Sequence, residues 1–151
     1  MEEKTNVMRM LDQYVGHYYG DTGAISGNDA AAALGEDPDR VFKTLVTVGK
    51  SKEHYVFMVP VSGELNLKKA ARAVGEKSIE MIRSKELLPL TGYIHGGCSP
   101  RGMKKYFKTT IDVSAGNAET IFVSAGKIGY QIEISLEDLK KVIRLQEADI
   151  V

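Results

Sequence analysis

The segment Thr91-Gly92-Tyr93-Ile94-His95-Gly96-Gly97-Cys98-Ser99-Pro100-Arg101-Gly102-Met103-Lys104-Lys105 cannot be fitted into a regular helix or strand. Its glycines favour neither, and its proline deletes a backbone donor. A shaped loop is therefore expected here, with ordinary elements before and after it. At Gly96-Gly97 successive amides can turn toward one point while no side chain blocks a ligand, a concavity that suits a carbonyl oxygen, an oxyanion or a phosphate. The same residues would also serve as a plain glycine-rich turn.

Before the loop, Thr5 is expected to cap a helix carrying Val7, Leu11 and Val15 on one stripe and ending at Gly16. His17 to Asp21 reads as a short strand whose aromatics, Tyr18 among them, fill core or line a pocket. A second helix is expected from Ser26 or Asn28 to Gly35. Val41 to Val48 and His54 to Pro60 are strand by propensity, joined by a hairpin turn at Gly49 to Glu53. Tyr55, Phe57 and Val59 alternate with Val56 and Met58, so both faces of the second strand are apolar and it should be central. His54 reads as a turn residue. A helix follows from Asn66 to Gly75, then a strand at Ser78 to Ile82 and a single helical turn ending before Pro89. After the loop come strands at Thr110 to Val113, Thr120 to Ser124 and Tyr130 to Ile134. A last helix capped at Ser135 should turn Leu136, Leu139, Val142, Ile143 and Leu145 inward.

At 151 residues the chain is read as one domain spanning 1–151, large enough to bury a core unaided. Its one cysteine and its histidines at 17, 54 and 95 match no zinc-ligand spacing, so no metal is expected. Twenty basic and twenty acidic residues leave zero formal charge, and any attraction to polyanions must be local. The absence of a long apolar run, with a charged Met1-Glu2-Glu3-Lys4 start, leads us to expect a cytoplasmic protein without membrane association.

Two local features carry chemistry. Lys43 lies inside a β-branched run with no acid beside it in sequence, and either points to solvent or aims a compact positive charge into a cleft. Arg101, Lys104, Lys105 and Lys108 fall within eight residues, interleaved with Tyr106 and Phe107 and free of acids. That pattern forms either a solvated face or a track for a phosphate backbone, which Lys68, Lys69 and Lys127 would extend.

Phe42-Lys43-Thr44-Leu45, Leu65-Asn66-Leu67-Lys68-Lys69, Thr91-Gly92-Tyr93 with Gly96-Gly97-Cys98-Ser99-Pro100, Gly102-Met103-Lys104-Lys105, and Ser124-Ala125-Gly126-Lys127 with Gly129 follow in an order and spacing that resembles the YbaK/EbsC family of aminoacyl-tRNA deacylases. The resemblance covers nearly the whole chain, and the family includes the editing domain of bacterial prolyl-tRNA synthetases. It implies a mixed α/β fold whose mostly antiparallel sheet curves into a partial barrel surrounded by helices. It also implies trans-editing: release of a wrong amino acid, cysteine from Cys-tRNA(Pro) foremost, from the acceptor end of a mischarged tRNA. Prolyl-tRNA synthetase is a further partner on this reading. The resemblance further implies that the sulfur of the misattached cysteine is itself the nucleophile, so that the protein would supply positioning and need no cofactor.

Under the resemblance, Lys43, Gly96, Gly97 and Ser99 form the catalytic set. Thr44, Gly92, Cys98, Pro100, Ser124 and Tyr18 stand at the substrate, and Arg101, Lys104, Lys105 and Lys108 hold the tRNA. His17 to Asp21 matches the family only loosely, and Gln131 stands where some members have an acid. Two other readings remain. Cys98, three residues after His95, could be an activated thiolate hydrolase nucleophile. Alternatively the chain could be a catalytically idle module that binds tRNA or a synthetase.

Overall fold

A computed structural model describes residues 4–11, 14–22, 24 and 27–151. In chain order the elements are α1 (Asn6–Arg9), β1 (Val15–Tyr18), α2 (Gly27–Leu34), β2 (Phe42–Gly49), β3 (His54–Pro60), α3 (Leu67–Val74), β4 (Ile79–Met81), α4 (Ser84–Thr91), β5 (Lys108–Asp112), β6 (Ile121–Ser124), β7 (Tyr130–Ile134), α5 (Leu136–Val142) and β8 (Leu145–Ala148).

The strands form two sheets, β1-β7-β6 and β4-β2-β3-β5-β8. β2–β3, β2–β4, β1–β7 and β6–β7 are antiparallel, whereas β3–β5 and β5–β8 are parallel. As expected of a strand apolar on both faces, β3 is the central strand of the larger sheet. One face sends Phe57, Val59 and Tyr55 against Ala70 and Ala71 of α3. The other sends Met58 into a core shared with Phe42, Ile111, Ile121, Val123, Ile132 and Leu139. The sheets meet where Val41 bridges in parallel to Phe122, fixed by the Phe122 amide donating to the Arg40 carbonyl at 2.9 Å. This bridge curves one sheet onto the other without closing a barrel, and it sets the start of β2 beside β6.

Capping residues define the helix ends. The Thr5 hydroxyl accepts from the Met8 amide, Asn66 Oδ1 accepts from Lys68 and Lys69, and the Ser135 hydroxyl accepts from Asp138. Three expectations are corrected. α1 ends at Arg9, and Val15 and Gly16 belong to β1, where pairing of Val15 with Glu133 and Gly16 with Ile132 outweighs a short helical stripe. α4 runs through Pro89 to Thr91; Pro89 withholds a donor from the Lys85 carbonyl, and the following turn is held by the Thr91 hydroxyl donating to the Leu87 carbonyl at 2.8 Å and the Gly92 amide to Leu88 at 2.8 Å. Leu145 is not helical but opens β8, held by parallel pairing to β5. The expected start of the second helix at Ser26 lies outside the described residues.

Candidate active site

A cavity of about 290 Å³ opens where β2, β6, β7, α2 and the glycine loop converge. Lys43 and Thr44 reach it from β2, Ser124 from β6, Gln131 from β7, Asn28 from α2, and His95, Gly96 and Cys98 from the loop. The register explains part of this convergence: Ser124 and Gln131 are cross-strand partners in the β6–β7 ladder. The Val41–Phe122 bridge then brings the β2 residues alongside them.

Lys43 pairs with Glu64 at 3.7 Å, an acid distant in sequence that adjacency alone did not disclose. The cavity wall also carries two buried oxygens without a hydrogen-bond partner, Thr44 Oγ1 and Gln131 Oε1. Ser124 Oγ accepts from the Gly126 amide at 3.1 Å, leaving its own proton to donate. Lys43, the Ser124 hydroxyl donor and two residues with unpaired buried oxygens, Thr44 and Gln131, therefore line one small volume. Unpaired buried acceptors cost stability unless a ligand satisfies them.

The loop is anchored at both ends. Gly92, at φ +86°, ends α4 in the left-handed region, the Lys104 amide donates to the Thr91 carbonyl at 3.0 Å, and the Tyr93 hydroxyl donates to the Arg101 carbonyl at 2.5 Å. Gly97 packs against the backbone of the β6–β7 turn, where an added Cβ would lie 3.2 Å from the Ile128 nitrogen. Its amide is engaged with the Ile94 carbonyl at 3.0 Å and is not offered to the cavity. Ser99 is fully buried, and its hydroxyl accepts from the Arg101 amide at 3.3 Å. Gly97, Ser99 and Pro100 thus lie outside the cavity lining, with Gly97 and Ser99 fixing the loop, whereas Gly96 and Cys98 line the cavity. Burial pushes the Cys98 thiol up to about 12, and no hydrogen bond among the described residues joins it to His95. A neutral thiol is a poor nucleophile, which removes the support for a Cys98 thiolate hydrolase.

Tyr18 is not in the cavity lining, although its ring lies 5.0 Å from that of Tyr130, which is; Tyr19 lines the cavity instead. A one-residue step along an extended segment exchanges faces, so Tyr19 lines this cavity while Tyr18 lines another with His17. Tyr19, Asn28 and Leu87 are cavity residues that the sequence reading missed; only Tyr19, beside the aromatic already singled out, left a usable signal. The basic run is divided. Lys104 lays its aliphatic chain over Gly92, while Lys105 and Lys108 line a separate cavity with Lys52 and Glu53. Lys69 is bound to Asp149 at 2.9 Å and to the Val151 carbonyl.

The fold and site together define a curved α/β domain that presents a lysine and a glycine-bearing loop to one small polar cavity. The sequence matches the family described as Aminoacyl-tRNA editing domain over residues 24–142, and the chain belongs to that family. It is 44% identical over 154 residues to EbsC of Enterococcus faecalis, provisionally named a Cys-tRNA(Pro)/Cys-tRNA(Cys) deacylase, covering 99% of this chain and 94% of that protein. A proline–tRNA ligase of Shouchella clausii is 32% identical over 103 residues, which cover 68% of this chain and 18% of the ligase. In three dimensions the chain resembles a structure described as a candidate trans-editing enzyme for prolyl-tRNA synthetase, with a TM-score of 0.81, 24% identity, and coverage of 91% and 85% of the two chains. No helix among the described residues is long and apolar enough to cross a membrane.

Proposed function

We propose that this protein is a trans-acting aminoacyl-tRNA deacylase that frees cysteine from Cys-tRNA(Pro), with the acceptor end of the tRNA in the cavity lined by Lys43, Gly96 and Ser124. The observation that carries the reading is the convergence of Lys43, Thr44, Ser124 and Gln131 with the loop residue Gly96 on a cavity of about 290 Å³. That volume, at the lower end for small-molecule sites, suits a short side chain.

The chemistry needs no nucleophile from the protein. The cysteinyl sulfur attacks its own ester carbonyl carbon. A carbon–sulfur bond forms, the bond to the ribose oxygen breaks, and the thiol proton passes to the departing oxygen. Water then opens the cyclic thioester to give free cysteine. Lys43 offsets negative charge on the developing oxyanion or the terminal nucleotide, and the Ser124 hydroxyl and Gly96 amide act as donors. Thr44 Oγ1 and Gln131 Oε1 accept from the ammonium of the aminoacyl group, which orients the ester for attack. Prolyl-tRNA synthetase is the proposed partner, because relatives of this chain occur as a segment of proline–tRNA ligases.

A panel of mischarged tRNAs tests the reading: Cys-tRNA(Pro), Cys-tRNA(Cys) and Ala-tRNA(Pro), with release of the amino acid followed over time. Fastest release from Cys-tRNA(Pro), retained by Cys98→Ala, is the expected result. Failure to release any amino acid would leave an idle binding module and overturn the proposal.

A further inference from the structure

A second cavity, of about 540 Å³, is lined by the same two segments as the first, the glycine loop and the end of β6. Loop residues Gly92, Tyr93 and Gly102 line it, whereas His95, Gly96 and Cys98 of the same loop line the first; Ala125, Gly126 and Lys127 line it directly after Ser124 of the first. Its remaining wall is the N-terminal segment, with Lys4, Asn6 and Arg9. The charged residues among the lining are Lys4, Arg9 and Lys127, and no described lining residue is acidic. Lys104 adds its chain against Gly92. These cations come from segments far apart in sequence, so folding gathers them in a chain whose formal charge is zero. Arg9 donates to Asn6 at 2.8 Å, a neutral partner, and among the described residues no acid is paired with it. The Lys127 ammonium also lies 5.2 Å from the Tyr130 ring centroid.

We propose that this second cavity seats the sugar–phosphate backbone of the acceptor strand next to the 3′ end, with Lys4 and Arg9 as phosphate-contacting residues. The inference rests on the editing function proposed above and supplies its nucleic-acid contact surface. A polyanionic strand leaving the first cavity along the shared loop and β6–β7 turn reaches the second, whose wall at Gly92, Gly102 and Gly126 is covered by Lys104, Tyr93, Met10 and Val7. The wall's polar groups and cations suit phosphate oxygens, which need no sequence-specific partner. An acidic protein segment would meet the same cations, but nothing places its end in the neighbouring cavity. The N-terminal segment, which the sequence reading treated as packing, thereby becomes part of the recognition surface, and Lys105 and Lys108 lie apart from it.

The test is binding of an uncharged tRNA(Pro) transcript to the full chain, measured by fluorescence anisotropy across a potassium chloride series. The double variant Lys4→Gln/Arg9→Gln is compared with Lys50→Gln/Lys77→Gln, which removes equal charge elsewhere. Expected is an affinity loss of about tenfold at physiological salt and a slope of log K against log salt shallower by about two, with the control close to wild type. Equal affinities for wild type and Lys4→Gln/Arg9→Gln, or equal losses in both double variants, would overturn the proposal. So would binding of a poly-glutamate peptide, but not the tRNA, with the same dependence on Lys4 and Arg9. Thermal melts establish that both variants fold. Because the tRNA is uncharged, the result stands apart from deacylation: a chain that binds through Lys4 and Arg9 yet releases no amino acid loses the editing function and keeps this surface.

Discussion

Lys43 Nζ lies 3.7 Å from Glu64 Oε2, and the two ends of the pair are unequally solvated: the Lys43 side chain is 27% exposed and that of Glu64 93%. Water competes for the exposed acid, so the pair is worth between nothing and about 1 kcal/mol. Lys43 is held at the cavity without being committed to a buried counterion.

That imbalance yields the first prediction. Lys43→Ala should slow deacylation of Cys-tRNA(Pro) about 10²- to 10³-fold, the usual cost of one preorganised electrostatic contact, while the melting temperature changes little. Glu64→Ala should alter the rate less than about fivefold, because only a weak solvent-exposed partner is lost. Lys43→Arg should rescue poorly, since a planar fork does not reproduce a compact ammonium. Single-turnover rates with melting curves decide it. Full activity in Lys43→Ala would make the lysine idle, and unfolding would make it structural.

How much of this was legible in the sequence follows from which forces are local. β3 as a central strand, the Asn66 and Ser135 caps and the loop at Gly96-Gly97 depend on alternation, capping chemistry and glycine, all of which read directly from residues. β8 did not, because Leu145 to Ala148 becomes a strand only by pairing with β5, more than thirty residues earlier. Nor did the Lys43–Glu64 pair, or the choice of Tyr19 over Tyr18, which depends on how one extended segment is rotated against Gly129. The basic run Arg101 to Lys108 was visible as a cluster, but the separation of Lys105 and Lys108, which line their own cavity, from Lys104, which lies over Gly92, is a property of the folded backbone.

Cys98 supplies the second prediction. With its thiol pushed up to about 12 by burial, it should resist iodoacetamide at neutral pH in the folded protein and react readily once denatured. Cys98→Ala should retain deacylation within about threefold while losing stability on the order of 1 kcal/mol from the small cavity left behind. A raised thiol pKa means that the folded state holds the proton more tightly than the unfolded chain. Its contribution is therefore complete below about 9 and is lost progressively as pH rises toward 12. Rapid native alkylation accompanied by loss of activity would restore the thiolate reading.

Gly97 and Gly92 separate packing from backbone strain. A methyl at Gly97 would press on the Ile128 nitrogen at 3.2 Å, forcing the loop off the β6–β7 turn. Gly97→Ala should therefore cost about 1–3 kcal/mol and slow deacylation on the order of tenfold, because Gly96 and Cys98 move with the loop. Gly92→Ala meets only the Lys104 side chain at 3.4 Å but must hold φ +86°, so it should destabilise by about 1 kcal/mol with less effect on rate. Comparison of kcat with melting temperature for the two variants checks the distinction; equal rate effects would refute it.

The last prediction concerns two carboxylates, Glu36 and Glu133, that share Arg40 and His17 as neighbours with opposite results. Glu133 accepts from Thr120 at 2.5 Å, from Arg40 at 3.4 Å and pairs with His17 at 3.0 Å, and the Thr120 hydrogen bond is the largest influence holding its carboxyl below the ordinary value. Neither buried Glu36 oxygen has a partner in good hydrogen-bond geometry; burial pushes that carboxyl up, nearby Glu133 adds to the rise, and a weak hydrogen bond from Gln131, with His17 and Arg40, offsets it only in part. A raised carboxyl pKa favours the protonated folded state, so ionised Glu36 opposes folding above its folded pKa and ceases to do so below about 4.5. Glu36→Gln should accordingly raise the melting temperature near pH 7, with the gain disappearing on acidification to pH 4. Glu133 behaves in the reverse sense: its stabilisation is present above about 4.5 and lost as pH falls through its lowered folded value. Glu133→Gln should lower the melting temperature at pH 7 by several degrees, as expected for a charge-assisted network worth about 1–3 kcal/mol, and should matter progressively less in acid. Melting temperatures of both variants across pH 3 to 8 decide the matter: opposite signs at neutrality converging in acid are required, and a destabilised Glu36→Gln at pH 7 would show that the Glu36 carboxylate has a compensating partner after all.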